Sequence, residues 1–489
     1  MRADIVVVGA GIVGSTIARE LSRYDLRIVV VEKNCDVAFG QPTKANTGII
    51  HAGYDDKPGT VKAKLCSRGN MLWHKIAREV GAPLKEIGSF VVALKEEDVR
   101  VLEELKERGE KNKVPNLKII EDSEELLKME PNLNRNAVAA LYAPTAAITS
   151  PYELTIAMAE NAVENGVQIL LDTEVTDIVV KNGELKAVQT SKGRIDTSYV
   201  VNAAGSYADE ISAMAGINHF SISPVKGEYW VFDKELNGLV KHVLFPVPTP
   251  ISKGIVVTPT VDGNILIGPN ANPTKDKNDY ATTASGLEEV FSGALNLIPE
   301  LAEKRRMVIA NFCGLRPEPD TNDFIIKAYN EVKGFINTAG IKSPGLTAAP
   351  AIAETVINLL RKSGLELREK DCFNPFRKPI DRAIRKLNME KANKLIARDR
   401  RYGHVICRCE HVTEGEVVEA IRRGATTLDG IKFRTRAGMG RCQGGFCGPM
   451  IVRILARELK IPPTEVTKKG VGSNLLVGEN KSFLEGNSK

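Results

Sequence analysis

The alternation of apolar and polar positions near the start of the chain predicts a strand, a helix and a second strand. Residues Asp4 to Val8 form a short β-branched run, which is typical of a strand buried on both faces of a parallel sheet. A segment with helical periodicity follows to about Leu21, and a second apolar run, "RIVVVE", ends at Glu32. This order of elements is typical of a βαβ unit.

Two later segments repeat the order of a strand, a glycine turn and a helix. The stretch "KGRIDTSYVVNAAGSYADEI" predicts a buried strand that ends at Ala204 and Gly205 before a helix. The stretch "GFINTAGIKSPGLTAAPAIAETV" predicts a strand, a turn and a helix that begins over Gly345, Leu346 and Thr347. Three such segments predict a Rossmann-like α/β domain.

The remaining pattern predicts an antiparallel sheet and a separate C-terminal unit. Asn182-Gly183 and Asp262-Gly263 each lie between two strand-like segments and are typical of hairpin turns. Residues 95–130 are charged and helical, as on a solvated outer face. The basic stretch "NPFRKPIDRAIRKLNMEKANKLIARDRR" predicts a helical connector, and "EGEVVEAIRRG" predicts a helix that ends at Gly424.

Length and composition limit the class of protein. A chain of 489 residues is too long for one core, and 43% hydrophobic with 26% charged residues is ordinary for a globular protein. A net charge of +6 does not indicate nucleic acid as a partner. The chain lacks an apolar run of about 18 residues, and "MRADIVVVGAG" lacks a signal-peptide cleavage site. We therefore expect a cytoplasmic protein, or one held on the inner face of the membrane through a partner.

The first turn, "GAGIVG", predicts a dinucleotide site. Gly9, Gly11 and Gly14 have the spacing G-x-G-x-x-G between a strand and a helix, and Glu32 ends the next strand. Glycines allow the backbone to approach a pyrophosphate at the helix N-terminus, and the acid is placed for ribose hydroxyls. Because the chain has three separated glycine turns and no second G-x-G-x-x-G, FAD is favoured over a nicotinamide nucleotide.

Four cysteines cluster near the C terminus. Cys407 and Cys409 form C-x-C, and Cys442 and Cys447 form C-x-x-x-x-C. Zinc ribbons usually repeat C-x-x-C, whereas cluster-bound thiolates tolerate odd spacings. Nearby glycines free backbone amides to bond to sulfur: Gly438, Gly440, Gly444 and Gly445. The pattern favours a 2Fe-2S cluster, with zinc or a disulfide-forming site as the alternatives.

Several stretches resemble one enzyme family. "DIVVVGAGIVGSTIARELS", "NTGIIHAGYDDKPGTVKAKLC", "PTPISKGIVVTPTVDGNILIGP", "GLRPEP" and "AGIKSPGLTAAPAIAE" resemble the FAD-dependent glycerol-3-phosphate dehydrogenase/oxidase branch of the D-amino-acid-oxidase-like superfamily. "HAGYDDKPGTVKAKLC" also resembles the L-2-hydroxyglutarate dehydrogenases. The tail, "CRCEHVTEGEV" to "RTRAGMGRCQGGFCG", is similar to the C-terminal region of the anaerobic dehydrogenase large subunit, a bacterioferritin-associated-ferredoxin-like 2Fe-2S domain.

The resemblance and the pattern together give the expected domains. We expect a discontinuous FAD-binding domain of glutathione-reductase or D-amino-acid-oxidase type and an antiparallel-sheet substrate domain, followed by a small helical iron–sulfur domain. The expected bounds are 1–80, 145–220 and 323–360 for the FAD-binding domain, 81–144 and 221–322 for the substrate domain, 361–402 for a basic linker, 403–460 for the 2Fe-2S domain and 461–489 for a tail.

The resemblance also implies site residues. It implies His51 as the general base, Lys253 and Arg316 as cations for the substrate anion, and Ser343 as a hydrogen-bond donor. Lys342 is implied near the flavin, where its charge would stabilise the reduced ring. Besides the first-turn glycines and Glu32, the implied FAD-contacting residues are Thr47, Gly48, Val175, Ala204, Gly205, Gly314, Lys342, Gly345, Leu346 and Thr347.

The resemblance implies oxidation of sn-glycerol-3-phosphate to dihydroxyacetone phosphate, with electrons leaving through a 2Fe-2S cluster. The expected acceptor is a partner redox subunit of a hetero-oligomeric complex or a quinone. Two alternatives stay open at this point. One is an L-2-hydroxyglutarate dehydrogenase, and the other is an electron-transfer flavoprotein subunit of a larger dehydrogenase complex.

Overall fold

The computed structural model describes residues 1–248, 254–382, 384–385 and 387–478. The chain divides into two units, the first formed by Met1–Lys33 with Val37–Arg377 and the second by Asn34–Asp36 with the chain from Lys378 onward. Among the described residues, none belongs to a helix that is long and apolar enough to span a bilayer.

The first unit contains two large sheets and the helices that cover them. Its strands are β1 (Ile5–Val8), β2 (Ile28–Val31), β3 (Ile49–Ile50), β4 (Leu84–Glu86), β5 (Ser89–Ala93), β6 (Lys118–Ile120), β7 (Ala139–Ala143), β8 (Ala147–Thr149), β9 (Gln168–Leu170), β10 (Val175–Lys181), β11 (Glu184–Thr190), β12 (Gly193–Asp196), β13 (Val200–Asn202), β14 (Ile222–Phe232), β15 (Val243–Pro246), β16 (Val256–Pro259), β17 (Ile265–Gly268), β18 (Asn272–Pro273), β19 (Val308–Pro319), β20 (Ile325–Ala328) and β21 (Phe335–Ala339).

Its α-helices are α1 (Ile12–Leu21), α2 (Gln41–Lys44), α3 (Val61–Glu79), α4 (Val99–Lys111), α5 (Ser123–Met129), α6 (Pro151–Glu164), α7 (Ala208–Met214), α8 (Ala284–Leu295) and α9 (Gly345–Lys362). Short 3₁₀ helices span Glu96–Asp98, Gly205–Tyr207, Lys234–Leu236 and Pro299–Met307.

The first sheet is mostly parallel and has the strand order β20-β21-β13-β1-β2-β9. β1 and β2 both read IVVV and are buried at every position, as the sequence pattern predicts for strands covered on both faces. β1 pairs in parallel with β2 and β13, and β13 pairs in parallel with β21. Only β20, at the edge of the described sheet, runs antiparallel to its neighbour.

The second large sheet follows the order β18-β14-β17-β16-β15-β5-β7-β6, and β19 pairs with β14. Its pairs are antiparallel except for β15 with β5. The predicted hairpins are confirmed: Asn182 and Gly183 join β10 to β11 with positive φ at both residues, and Gly263, with a φ of 94°, lies in the turn between β16 and β17. The fold class is therefore the predicted one, a Rossmann-like parallel sheet with an antiparallel-sheet partner.

The second unit is small and mainly helical. Its elements are α10 (Met389–Arg398), β22 (Val405–Cys407), β23 (Val412–Thr413), α11 (Glu414–Arg422), α12 (Leu428–Thr435) and α13 (Cys447–Leu459), with 3₁₀ helices at Arg400–Gly403 and Pro463–Glu465. α11 ends where predicted, before Gly424 with its φ of 94°. Among its described residues, the basic connector is helical only from Met389, which corrects the prediction of a helix along its length. Pro375 and Pro379 upstream lack the amide that a helix interior requires.

Burial of Glu416 makes the second unit sensitive to pH. Glu416 and Thr413 form a capping box at the start of α11, and burial raises the pKa of Glu416 from its ordinary 4.5 to about 7. The folded state therefore favours the protonated acid. The contribution of this group to the free energy of unfolding is therefore largest below pH 4.5. It decreases by about 3 kcal/mol as the pH rises from 4.5 to about 7.

We expect the Glu416→Gln variant to lack this part of the pH dependence. Denaturant unfolding of the full-length protein at several pH values, followed by the visible absorbance of the expected iron–sulfur centre, measures the difference. Glu419→Gln, on the same helix, is the control and should keep the slope of the unmodified protein. An unchanged slope in the Glu416 variant would show that this carboxyl does not titrate in that range.

Candidate active site and cofactor sites

The carboxyl ends of β1, β13 and β21 lie at one edge of the parallel sheet, because these strands are parallel neighbours. The Ala203 amide donates to Val8 O at 2.9 Å and joins two of these ends. The three predicted turns begin here, at Gly9, at Ala204 and before Gly345. In open α/β sheets, ligands bind at this edge.

The glycines of the first turn are required by close approach of the backbone. Gly9 has a φ of 100°, and a Cβ there would lie 2.6 Å from Ala203 O. A Cβ at Gly14 would lie 1.9 Å from Gly9 O, and one at Gly11 would lie 2.8 Å from Thr43 Oγ1. The turn is therefore tight, and it directs the N-terminus of α1 toward the sheet edge, where its dipole favours an anion such as a pyrophosphate.

Replacing Gly14 by alanine is expected to remove most of the bound flavin. The added methyl group collides with the backbone of the turn rather than with a flexible side chain, so the turn must move away from the cofactor position. The flavin released from equal amounts of purified protein measures the effect. Gly448→Ala is a control, since a Cβ there meets nothing within 4 Å. Full flavin content in the Gly14 variant would contradict the expectation.

Glu32 and Val175 lie at the carboxyl end of β2. Glu32 is buried, and its Oε2 accepts from the Ala10 amide at 2.8 Å. The Thr173 amide donates to Glu32 O at 2.8 Å, so the chain that enters β10 at Val175 reaches the same edge. In βαβ dinucleotide folds this position receives the ribose.

The loop that contains Thr47 and Gly48 is shaped by its own backbone. Gly48 has a φ of 68°, and a Cβ there would lie 2.3 Å from Thr149 O. Its amide donates to Asn46 Oδ1 at 2.8 Å, and Asn46 Nδ2 donates to Thr43 O at 2.7 Å. Thr47 is half-buried within this fixed loop. The loop is thus held in shape by the protein alone.

The start of α9 packs against the segment that carries His51. Trp73 Nε1 donates to Leu346 O at 2.9 Å. Thr347 is fully buried, and its Oγ1 accepts from the His51 amide at 2.9 Å. A Cβ at Gly345 would lie 2.6 Å from a neighbouring side chain. The Thr347 hydroxyl is already hydrogen-bonded to the His51 amide. The groups of this turn that suit a cofactor are therefore the backbone amides at the helix N-terminus.

Two orphaned hydroxyls lie next to these turns. Ser150 and Ser206 are buried, and their hydroxyls have no hydrogen-bond partner in the part of the chain that the structure describes. Ser150 follows Thr149, which contacts Gly48, and Ser206 follows Gly205. Buried polar groups are normally satisfied, so a bound group is expected to satisfy these two. The residues at this edge therefore fit FAD.

His51 is held by its main chain on both sides. Besides the amide bond to Thr347, the His51 carbonyl accepts from Asn70 Nδ2 at 3.0 Å. The centroid of its ring is 5.9 Å from that of Phe245. His51 lines a pocket together with Tyr54, Asp55, Val91, Leu105, Phe245, Pro246 and Pro248. The imidazole thus lies in the wall of a pocket.

Arg316 lies on the face of β19 that contacts the loop before β3. A Cβ at Gly314, two residues earlier, would lie 2.0 Å from Ala45 O. Arg316 Nη2 donates to Asn270 O and, at 3.1 Å, to Lys226 O. Arg316 Nε is buried, and no described residue accepts a hydrogen bond from it. A buried donor without an acceptor is expected of a guanidinium that receives an anion.

Lys342 and Ser343 lie in the turn between β21 and α9. Lys342 Nζ is paired with Glu318, which is two residues beyond Arg316 on the same face of β19. This pair brings the turn beside the Arg316 face, with Ser343 half-buried. Lys253 lies outside the described residues.

Three polar residues of this region were missed by the sequence analysis. Asn70 fixes the His51 carbonyl and Asn46 fixes the Gly48 loop. Tyr229 shares a face with Arg316, because Val225 pairs with Arg316 in the β14–β19 register and residues two apart share a face. Burial raises the pKa of Tyr229 to about 12, so the phenol is a neutral hydroxyl at physiological pH. Only Asn70 had a signal in the sequence, because it is an isolated asparagine within the apolar face of α3.

The four clustered cysteines come together as two pairs. Cys409 Sγ lies 3.7 Å from Cys442 Sγ. Cys407 accepts a hydrogen bond from Cys447, which lowers the pKa of the Cys407 thiol to about 6. Cys407 and Cys447 are buried, whereas Cys409 and Cys442 are half-buried. All four are free thiols.

Backbone amides point at these sulfurs. The Gly438 amide donates to the Cys407 sulfur, and the amides of Phe446 and Gly444 lower the pKa of the Cys442 thiol. Gly438 and Gly444 have φ angles of 91° and 90°, which glycine adopts without strain. Such amides stabilise the thiolates that bind metal. Four thiols with this surrounding fit a 2Fe-2S cluster.

Together, a dinucleotide cradle, a histidine beside a pocket and a four-thiolate site define a flavin-dependent oxidoreductase with an iron–sulfur centre. The chain belongs to the FAD-dependent oxidoreductase (DAO) family, whose model matches residues 4–359. Residues 405–457 match the BFD-like 2Fe-2S binding domain. The cofactors of this protein are thus FAD and a 2Fe-2S cluster, as the sequence predicted.

Three known proteins illustrate the likeness. The chain is 47% identical over 484 residues to a glycerol 3-phosphate dehydrogenase of Caloramator mitchellensis, covering 99% of this chain and 100% of the relative. It is 33% identical over 380 residues to a glycerol 3-phosphate oxidase of Mycoplasma genitalium, covering 76% and 97%. The dithionite-reduced, FAD-bound L-alpha-glycerophosphate oxidase of Mycoplasma pneumoniae has a TM-score of 0.73 at 32% identity, covering 78% and 99%.

Proposed function

We propose that this protein oxidises sn-glycerol-3-phosphate to dihydroxyacetone phosphate. The observation that carries the proposal is the match over 99% of the chain to a relative named glycerol 3-phosphate dehydrogenase, which therefore includes both cofactor domains. The site geometry supports it, since a histidine beside a pocket can serve as a base, and a half-buried guanidinium whose Nε has no described acceptor can bind a phosphate.

His51 acts as the general base in this proposal. Oxidation of a secondary alcohol removes a proton from the hydroxyl oxygen and a hydride from the carbon that bears this hydroxyl, and FAD, when bound, supplies the hydride acceptor. The His51 imidazole takes the hydroxyl proton, a role in which histidine is the side chain most often found. Thr347 and Asn70 fix the main chain on either side, so the ring keeps its place beside the pocket.

Arg316, Lys253 and Ser343 bind the substrate phosphate in this proposal. Arg316 has a buried Nε without a described acceptor, and a guanidinium binds phosphate oxygens with charge-assisted hydrogen bonds. Ser343 adds a hydroxyl donor from the turn that the Lys342–Glu318 pair brings beside β19. The same pair limits the charge that Lys342 presents to the flavin, so Lys342 contributes there mainly as a positioning group.

The cofactor contacts proposed for this chain follow the edge of the parallel sheet. Gly9, Gly11 and Gly14 hold the pyrophosphate, and Glu32 and Val175 lie at the ribose end. The loop and turns that contact the rest of FAD contain Thr47, Gly48, Ala204, Gly205, Gly314, Gly345, Leu346 and Thr347.

The cysteine domain is proposed to carry electrons to a partner. A 2Fe-2S cluster, when bound by Cys407, Cys409, Cys442 and Cys447, supplies a one-electron carrier. We propose that the acceptor is a redox subunit of a hetero-oligomeric complex or a quinone, and that any attachment to the inner face of the membrane occurs through that partner.

A dye-linked turnover assay tests the proposed activity. Purified protein is assayed with sn-glycerol-3-phosphate, with L-2-hydroxyglutarate and with no substrate, using an artificial dye as acceptor. We expect turnover with glycerol-3-phosphate and appearance of dihydroxyacetone phosphate. Turnover with L-2-hydroxyglutarate alone would replace the proposed substrate, and turnover with neither would favour an electron-transfer subunit.

A further inference from the structure

We infer that Asn270 is a positioning residue that orients the Arg316 guanidinium for the substrate anion. The inference rests on the proposed function, because it assumes that Arg316 binds the phosphate of glycerol-3-phosphate. It assigns a role to a buried polar network around Asn270 that lies on the antiparallel sheet and has no place in the chemistry described above.

Arg316 is oriented by two backbone carbonyls. Its Nη2 donates to Asn270 O and to Lys226 O, and both hydrogens of that nitrogen are thereby engaged. The guanidinium is planar, so fixing one nitrogen in this way restricts the direction of the whole group. Nε, buried and without a described acceptor, then points in a fixed direction. The place of Asn270 O therefore decides where Arg316 can receive an anion.

The side chain of Asn270 fixes the position of its own carbonyl. Asn270 is 2% exposed, and its Oδ1 accepts from the Glu228 amide at 2.9 Å. Its Nδ2 donates to Glu228 Oε2 at 3.1 Å, to Glu289 Oε2 at 2.9 Å and to Gly286 O at 3.3 Å. These bonds tie the chain after β17 to β14 and α8. Removal of the amide would release the carbonyl that Arg316 uses.

The buried carboxylate of Glu228 accepts the hydrogen bonds that hold this network together. It is 1% exposed and accepts from the Thr283 amide and, at 3.1 Å, from Thr283 Oγ1. A Cβ at Gly286 would lie 1.6 Å from Glu228 Oε2, so glycine is needed for the carboxylate to fit. A buried carboxylate must be hydrogen-bonded to be tolerated, and here one of its partners is Asn270.

Gly227 provides the space that Arg316 occupies. A Cβ at Gly227 would lie 3.0 Å from Arg316 Nη2 and 2.7 Å from Pro269 Cβ. Gly227→Ala therefore disturbs Arg316 from the strand side, whereas Asn270→Ala disturbs it from the carbonyl side. Two variants that act on the same guanidinium by different contacts allow the inference to be tested even if one of them fails to fold.

The experiment compares these variants with a buried asparagine of the same sheet. Asn264 is 3% exposed, and its Nδ2 donates to Phe232 O at 2.8 Å. For the holoenzyme we expect Asn270→Ala and Gly227→Ala to raise the KM for glycerol-3-phosphate, and the directly titrated dissociation constant of inorganic phosphate, by about tenfold or more, because a misplaced positioning group weakens anion binding. kcat should change far less, and Asn264→Ala should leave both constants close to those of the unmodified protein.

A double-mutant cycle separates positioning from general stability. In an Arg316→Ala background, Asn270→Ala should add little further loss, since the group that it orients is gone. Equal effects of the Asn270 and Asn264 variants, or a full additional loss in the Arg316→Ala background, would overturn the inference. If the unmodified protein binds phosphate but does not oxidise glycerol-3-phosphate, the proposed function fails, while the phosphate constants still decide the role of Asn270. A protein that neither oxidises glycerol-3-phosphate nor binds phosphate would contradict both the proposed function and the role of Asn270.

Discussion

Replacing His51 by alanine or asparagine is expected to lower kcat by about 100- to 10,000-fold while FAD remains bound. The loss corresponds to removal of a general base from the step that takes the hydroxyl proton. FAD should stay because the contacts that fix this segment are made by the His51 main chain, through Thr347 and Asn70, and not by its ring. Steady-state kinetics and flavin content of the same preparation measure the two parts.

His219→Ala is the matched control for this variant. His219 lies on the surface and is paired with Glu331 at 3.2 Å, away from the pocket residues. It should keep nearly full turnover. A His51 variant with nearly full turnover would place the base elsewhere, and one that has lost its FAD would assign His51 a structural role instead.

The second large effect concerns Cys442, and it separates the two cofactor domains. Cys442→Ser is expected to prevent assembly of the iron–sulfur centre, because it removes one of the four thiolates proposed as ligands. Substrate should still reduce the flavin at close to the normal rate on rapid mixing, since His51 and Arg316 belong to the other unit. Turnover with the physiological acceptor should collapse, whereas turnover with a small dye that reaches the flavin should survive.

Cys372→Ser is the control for this experiment. Cys372 is an exposed free thiol that belongs to the first unit. The Cys372→Ser variant should keep its iron and sulfide, and its turnover with both the physiological acceptor and the dye. Loss of FAD, a lower Tm and joint failure of both activities in the Cys442 variant would mean that the cysteine domain braces the fold. Unchanged acceptor-linked turnover in a variant shown to lack iron would rule out the relay.

The parts of the fold that depend on local pattern could be predicted from the sequence. β1 and β2 are uninterrupted apolar runs, and the hairpin at Asn182-Gly183 has the positive φ angles that these residue types allow. The three strand-to-glycine turns were found separately, and their meeting at one edge follows from the parallel order of the strands. Such features are set by residues a few positions apart.

Contacts between residues far apart in sequence could not be predicted. Asn202 Nδ2 donates to Asn337 Oδ1 at 2.8 Å and joins β13 to β21 beneath the glycine turns, across a separation of 135 residues. The bond from Asn270 O to Arg316 is equally remote from any local pattern. A buried asparagine has the same sequence context as one in a surface loop, so only the fold reveals its partner.

The cysteine spacing indicated candidate ligands but not their surroundings. The four thiols could be singled out as candidates from C-x-C and C-x-x-x-x-C alone. Which of them pair, and the contribution of the Phe446 amide to the low pKa of Cys442, depend on the path of the loop in space. Only the glycines of this loop could be recognised from the sequence, because the positive φ angles at Gly438 and Gly444 favour glycine.

Anaerobic titration of the purified holoenzyme with sn-glycerol-3-phosphate tests the central claim most directly. The visible absorbance of the flavin is followed as substrate is added, and dihydroxyacetone phosphate is measured in the same samples. We predict that the flavin is reduced and that one molecule of dihydroxyacetone phosphate appears for every two electrons that the flavin and the cluster together accept. A flavin that dithionite reduces but glycerol-3-phosphate leaves oxidised would contradict the proposed function.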